Sequence, residues 1–183
     1  MRIAYRTLAA AVTAALLAAP ALSAQAPQAP PKPGPEVQKL AYFAGRWSEV
    51  VDMKASPMGP GGRMTVSSSC EWFSGGFFLV CRSDGTGPAG ATHGLGILGY
   101  NTESKRYTYY SIDNSGMSGP VAYGDLAGDT WTWTTEDTMN GQQVKSHFTI
   151  KQVSQDSYTW TWEMAMGGGP FAVMATGTDT RVR

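Results

Sequence analysis

The chain has 183 residues, with 14 Lys or Arg against 14 Asp or Glu and two His, a formal net charge of zero. That balance lacks the basic stripe a phosphate backbone requires, so no nucleic-acid partner is expected. The length suits one domain with a real hydrophobic core.

Arg2 and Arg6 precede an Ala/Leu/Val-rich run from Leu8 to Leu22, and Ala21-Leu22-Ser23-Ala24-Gln25-Ala26 offers small residues to a signal peptidase. Residues 1–24 are therefore expected to be a signal peptide cleaved after Ala24, with cleavage after Ala26 as the alternative. A membrane anchor is disfavoured, because the run is shorter than the roughly 20 residues a bilayer needs and contains Pro20. No twin-Arg pair or lipidation cysteine is present near the cleavage site. Cleavage removes two cations and no acid, leaving 12 basic and 14 acidic residues, a formal charge of −2. No later segment reaches spanning length, so no integral membrane segment is expected after signal removal, and the expected address is secreted or periplasmic. Residues 25–35, Pro-rich from Pro27, read as an extended, disordered tether before a single domain over 36–183.

Glu36 to Ala44 has helical apolar spacing at Val37, Leu40, Ala41 and Phe43 or Ala44, and stops at Gly45. After it come ten short strand-like runs divided by turn residues: 46–53, 67–73, 77–82, 94–101, 105–113, 120–125, 130–138, 142–153, 158–166 and 171–182. Ala55–Gly62 and Asp84–Gly90 read as loops, and Asn140-Gly141 is the strongest two-residue hairpin signal. Ten strands in up-and-down order favour a closed antiparallel β-barrel, because closure removes exposed edges.

Ser74-Gly75-Gly76 sits between two of these runs. With Gly75 and Gly76 at the turn centre, residues summing to 151 face each other, so Trp72 opposes Leu79 and Cys70 opposes Cys81. An exported chain keeps such a pair oxidised, and a structural disulfide is expected. A strict two-residue turn would make the cysteines a wide hydrogen-bonded pair, so a bulge or longer turn is the alternative.

Tyr158, Trp160, Trp162, Met164 and Met166 share one face of a strand, with Thr159, Thr161, Glu163 and Ala165 on the other. Trp131 and Trp133 alternate with threonines in the same way. The aromatic face is expected inside, and the charged alternation of Lys145, His147 and Lys151 argues against a lipid-facing wall. Trp72, Tyr107, Tyr109, Trp131, Trp133, Tyr158, Trp160 and Trp162 are the candidate ligand-binding residues, lining a cavity or filling the barrel.

The helix running into Gly45-Arg46-Trp47 resembles the opening of lipocalins and the wider calycin superfamily. That resemblance implies an antiparallel barrel around one internal site, with Arg181 or Arg183 packed across Trp47. Over Leu40 to Arg183 the chain is also similar to an uncharacterised, largely bacterial calycin-like family of unknown function. The similarity is carried by Leu40-x-x-Phe43-x-Gly45-x-Trp47, Gly96-x-Leu98-Gly99-Tyr100-Asn101, Lys105-x-Tyr107 and the closing Thr178-x-Thr180-Arg181. It implies a fold and no activity.

No catalytic residue is named by any motif. Gly94-x-Gly96-x-x-Gly99 runs into a strand, so its glycines read as sites of bending or close packing and not as a dinucleotide fingerprint. His147 reads as a surface imidazole. His93 would be the axial ligand were haem bound, as in related nitrobindin-like barrels, but no cofactor and no metal site are expected. Glu71, Glu136 and Glu163 read as solvated acids. The expected function is an exported barrel binding a small hydrophobic or aromatic ligand, gated by Ala55–Gly62 or Asp84–Gly90. A barrel-cavity enzyme of isomerase or cyclase type, or a structural barrel with a filled core, is the alternative.

Overall fold

A computed structural model describes residues 30–56, 59–116 and 119–183. The expected signal peptide and residues 25–29 of the tether lie outside the described residues. A short helix α1 (Pro35–Lys39) and a 3₁₀ turn (Leu40–Phe43) precede ten strands. These are β1 (Gly45–Met53), β2 (Gly62–Trp72), β3 (Leu79–Gly87), β4 (Gly90–Asn101), β5 (Arg106–Asp113), β6 (Ala122–Ala127), β7 (Thr130–Met139), β8 (Gln142–Ser154), β9 (Ser157–Met166) and β10 (Ala172–Val182). Every strand pairs antiparallel with its sequence neighbours, and β1 closes on β10. The all-β, up-and-down barrel read from the sequence is the observed fold.

The helical segment closes one end of the barrel. Leu40 and Phe43 are buried against the aromatic interior, while the Tyr42 hydroxyl donates to the Ser154 and Ser157 carbonyls at 2.8 and 3.0 Å. At Gly45 the chain turns into β1 with φ +111°, a conformation that favours glycine, and a Cβ there would meet the Arg181 guanidinium at 2.8 Å. Two residues on, Trp47 is buried and its indole donates to the Phe43 carbonyl at 2.9 Å. Arg181, not Arg183, covers it: the guanidinium carbon lies 4.2 Å from the ring centre and the side chain donates to the carbonyls of Tyr42, Ala44 and Gln155.

Cys70 and Cys81 form the disulfide in the expected register, with Trp72 opposite Leu79. Phe73 N–H donates to the Phe78 carbonyl at 2.8 Å, so a four-residue turn closes the hairpin. Counting back from that hydrogen-bonded pair places the cysteines at a narrow pair, Cα atoms 4.0 Å apart, which resolves the register question in favour of the longer turn. Replacing both cysteines by alanine is expected to lower stability by about 2–3 kcal/mol, seen as a lower urea midpoint.

Two expected loops need correction or refinement. Asp84–Gly90 is no loop: β3 and β4 stay paired to Gly87 and Gly90, leaving only Pro88 and Ala89 as the turn. The Ala55–Gly62 segment carries a small bridge between Ser56 and Gly59. The Asn140-Gly141 turn is as expected, both residues at positive φ between Met139 and Gln142. Pairing around the barrel is uneven. β5 and β6 share three residue pairs, ending at Tyr109 and Ala122, whereas β7 and β8 pair over the whole of β7.

Candidate functional site

Inside the barrel, alternation delivers aromatic rings from several strands to one space. Trp131 and Trp133 stack at 5.5 Å, with Tyr107 edge-on to Trp131 at 4.7 Å and Phe43 against both from the helical plug. Above this floor lies a cavity of about 200 Å³. Its walls include Tyr109, Trp133, Tyr158 and Trp160, with Phe148, Ile150 and the Cys70–Cys81 disulfide. The Trp160 ring lies across Gly177 on β10, where an added Cβ would come within 2.2 Å of it, so a strand without a side chain is what lets the indole lie flat. Gly96 and Gly99 do the same for Tyr109 and Phe78, which is the close-packing role the sequence implied.

The cavity wall also carries two carboxyls. The register that sets Trp47 against Arg181 also sets Glu49 against Asp179. Both accept from one donor, the Trp160 indole N–H, at 2.8 Å (Glu49 Oε1) and 3.1 Å (Asp179 Oδ2). Asp179 is 2% exposed. Burial, then the charge of Glu49, pushes its pKa up to about 8 against the opposing help of Tyr158 and Trp160. Burial raises Glu49 as well, offset by the Trp160 hydrogen bond. Burial also raises Tyr109 and Tyr158, so both phenols stay neutral. The carboxyl pair therefore keeps a proton through neutral pH.

A carboxyl with a native pKa above its unfolded value binds more protons folded than unfolded. Its contribution to stability is complete below the ordinary carboxylate range and is lost as pH rises towards about 8. Asp179→Asn, which keeps shape without charge, is expected to stabilise the protein by about 1–3 kcal/mol at pH 8 and to flatten the decline between pH 5 and 8. Urea unfolding of both proteins at the two pH values measures this.

The sequence-predicted residues divide. Tyr109, Trp133, Tyr158 and Trp160 line the cavity. Trp131 is fully buried beneath it, and Tyr107 uses its hydroxyl to donate to Glu36 at 2.8 Å, tying down the helix. Trp162 points inward but packs further along the barrel, its indole donating to Ser146 Oγ at 2.8 Å. Trp72 lies apart. β1 begins at Gly45 opposite Cys70, so Trp72 projects two residues past its neighbour strand, 37% exposed beside Phe73 and Phe78. His93 is exposed, its Nδ1 2.7 Å from Asp84, and stands outside the cavity, so it is not placed to ligate an internal haem. His147 stacks on Phe171. Glu136 pairs with Lys145 on the outer wall, as a solvated acid should. Glu49 and Asp179 were missed by sequence reasoning, although alternation through Trp47 and Arg181 contains the information.

Among solved structures the chain is similar to Rv2717c from M. tuberculosis: 14% identity, TM-score 0.59, covering 83% of this chain and 100% of that one. It is also similar to the S-type phycobiliprotein lyase CPES from Guillardia theta, at 9% identity and TM-score 0.55, over 80% of this chain and 92% of that one. At these identities the likeness is one of fold. No protein of curated function matches the chain in sequence. The sequence model of one family, described as protein of unknown function (DUF1579), matches residues 32–181. The chain belongs to that family.

Proposed function

We propose that this barrel is an exported binding protein for a small, largely apolar or aromatic molecule held in the cavity above Trp133. The observation that carries the reading is that Tyr109, Trp133, Tyr158 and Trp160 surround about 200 Å³ that no side chain of the described residues fills. An apolar cavity of about 150 Å³ holds benzene, and drug-sized sites start near 300 Å³. The size therefore fits a ligand of one ring or a short chain and disfavours haem or a long fatty acid. Export through residues 1–24 is part of the proposal, and the Cys70–Cys81 bridge supports it, since disulfides persist outside the cytosol.

Titration with single-ring compounds is expected to change the indole fluorescence saturably, and Trp133→Leu is expected to weaken that binding about tenfold. No saturable change with any such compound would overturn the reading. A second reading, an isomerase or cyclase of the barrel-cavity type, draws on Glu49 and Asp179: one carboxyl with its proton and one without make an acid–base pair beside the same space. Turnover that Glu49→Gln abolishes while ligand still binds would favour it.

A further inference from the structure

We propose that the ligand of this cavity is a small organic cation, a protonated amine on a single-ring or similar apolar body, with its ammonium seated between Glu49 and Asp179. This rests on the reading of the barrel as a small-molecule binder and names the class it binds.

Two carboxyls on adjacent strands line one cavity and share a single N–H donor, the Trp160 indole. That leaves Glu49 Oε2 with no hydrogen-bond donor among the described residues. Among the described residues, no Lys, Arg or His lines the cavity. Arg181 follows Asp179 on the same face of β10, but its guanidinium is engaged by three backbone carbonyls, by Asp156 and by the Trp47 ring. The other titratable groups around the pair are phenols: Tyr158 from β9, Tyr109 from β5 and Tyr42 from the helical plug. Burial raises the pKa of each, so they offer neutral hydroxyls and no compensating charge.

A buried carboxyl beside a half-buried one, with no cation between them, must hold a proton, which is a standing penalty on the empty protein. An ammonium removes it. Its three N–H donors match oxygens of both carboxyls and a phenol, and its positive charge is attracted to the faces of the rings that make the wall. A metal ion is the poorer occupant, because Ca²⁺ or Mg²⁺ takes six or more oxygen ligands, Zn²⁺ at least three protein ligands, and no group of three or more His, Cys, Asp or Glu is assembled among the described residues. Anionic ligands are refused by sign.

Binding of the amine displaces the shared proton into solvent. Affinity is therefore expected to rise from pH 5 to pH 8, and calorimetry in two buffers of different ionisation enthalpy is expected to show net proton release.

Three isosteric probes test the proposal on the full mature protein: phenethylamine, 2-phenylethanol and phenylacetate. Phenethylamine is expected to bind at least tenfold more tightly than 2-phenylethanol at pH 8, with phenylacetate weakest. Glu49→Gln and Asp179→Asn, made singly, are each expected to weaken phenethylamine at least tenfold and to remove the preference for amine over 2-phenylethanol. Near-UV circular dichroism of each variant checks that it is folded and its aromatic interior intact. Equal binding of amine and alcohol, or an amine affinity indifferent to both substitutions, overturns the cation proposal and leaves the apolar-ligand reading standing. No saturable binding of any probe overturns both.

Discussion

Replacing Arg181 by alanine is expected to lower the unfolding free energy by about 3–4 kcal/mol, the largest loss from any single polar residue of this barrel. The guanidinium joins the last strand, the helical plug and the first-strand tryptophan. It lies flat on Trp47 and donates to the carbonyls of Tyr42 and Ala44, where the chain leaves the 3₁₀ turn without strand partners. Truncation would leave those carbonyls unpaired in a closed end and open one face of a fully buried indole to water. Arg181→Lys should recover less than half of the loss, because an ammonium neither forks between two carbonyls nor stacks on a ring. Thermal unfolding followed by near-UV circular dichroism measures both. For a domain of this length the alanine variant should melt about 10 °C lower. A change under 3 °C would show that the plug is held by its apolar contacts alone.

Gly177→Ala is the second large effect, expected to cost about 3 kcal/mol although it adds one methyl group. Its Cβ would stand 2.2–2.4 Å from three atoms of the Trp160 ring. The ring cannot yield cheaply, because its N–H is fixed by Asp179 from the neighbouring β10 and Glu49 from β1 beyond it. Overpacking of a core costs about 1–3 kcal/mol, and displacement of the indole strips both carboxyls of their shared donor. The variant should therefore lose ligand binding in step with stability and show a shifted tryptophan emission maximum. A second substitution, Trp160→Phe, removes the clash and the N–H together. The pair Gly177→Ala with Trp160→Phe should be closer to wild-type stability than the sum of the two single effects predicts, a positive coupling that a double-mutant cycle reads directly.

The fold was largely legible because closure, alternation and turn chemistry are local properties of sequence. Asn140-Gly141, the run from Leu40 into Gly45-x-Trp47, and the facing cysteines each announce their geometry within a dozen residues. Strand ends were less visible. β3 and β4 extend to Gly87 and Gly90, past where the glycines and Pro88 imply a loop, because β2 holds β3 in register as far as Thr86 and β3 holds β4. The cavity was half legible. Tyr109, Trp133, Tyr158 and Trp160 follow from parity alone, but parity cannot say where a strand outruns its neighbour, so Trp72 is inward by rule and outside in fact. The acids show the opposite failure. Glu49 follows Trp47 by two residues and Asp179 precedes Arg181 by two, so an Arg laid on that Trp forces the carboxyls together. Neither acid is remarkable in its own strand, and only the β1–β10 pairing, between opposite ends of the domain, makes them a pair.

The three-pair seam between β5 and β6 bears on how fast anything enters or leaves. Its last pair is Tyr109 with Ala122, and Tyr109 is itself cavity wall, so the weakest line of backbone bonding runs beside the cavity. Beyond Tyr109, residues 110–113 of β5 keep β4 as a partner and have no register with β6. Amide protons along this line should exchange with deuterium well before those of β7, β8 and β9, through an opening that leaves the rest of the barrel closed. Ligand residence time would then be set by the frequency with which this seam parts, and a disulfide engineered across Thr108 and Tyr123, which face each other, should slow association and dissociation together while leaving the equilibrium affinity nearly unchanged.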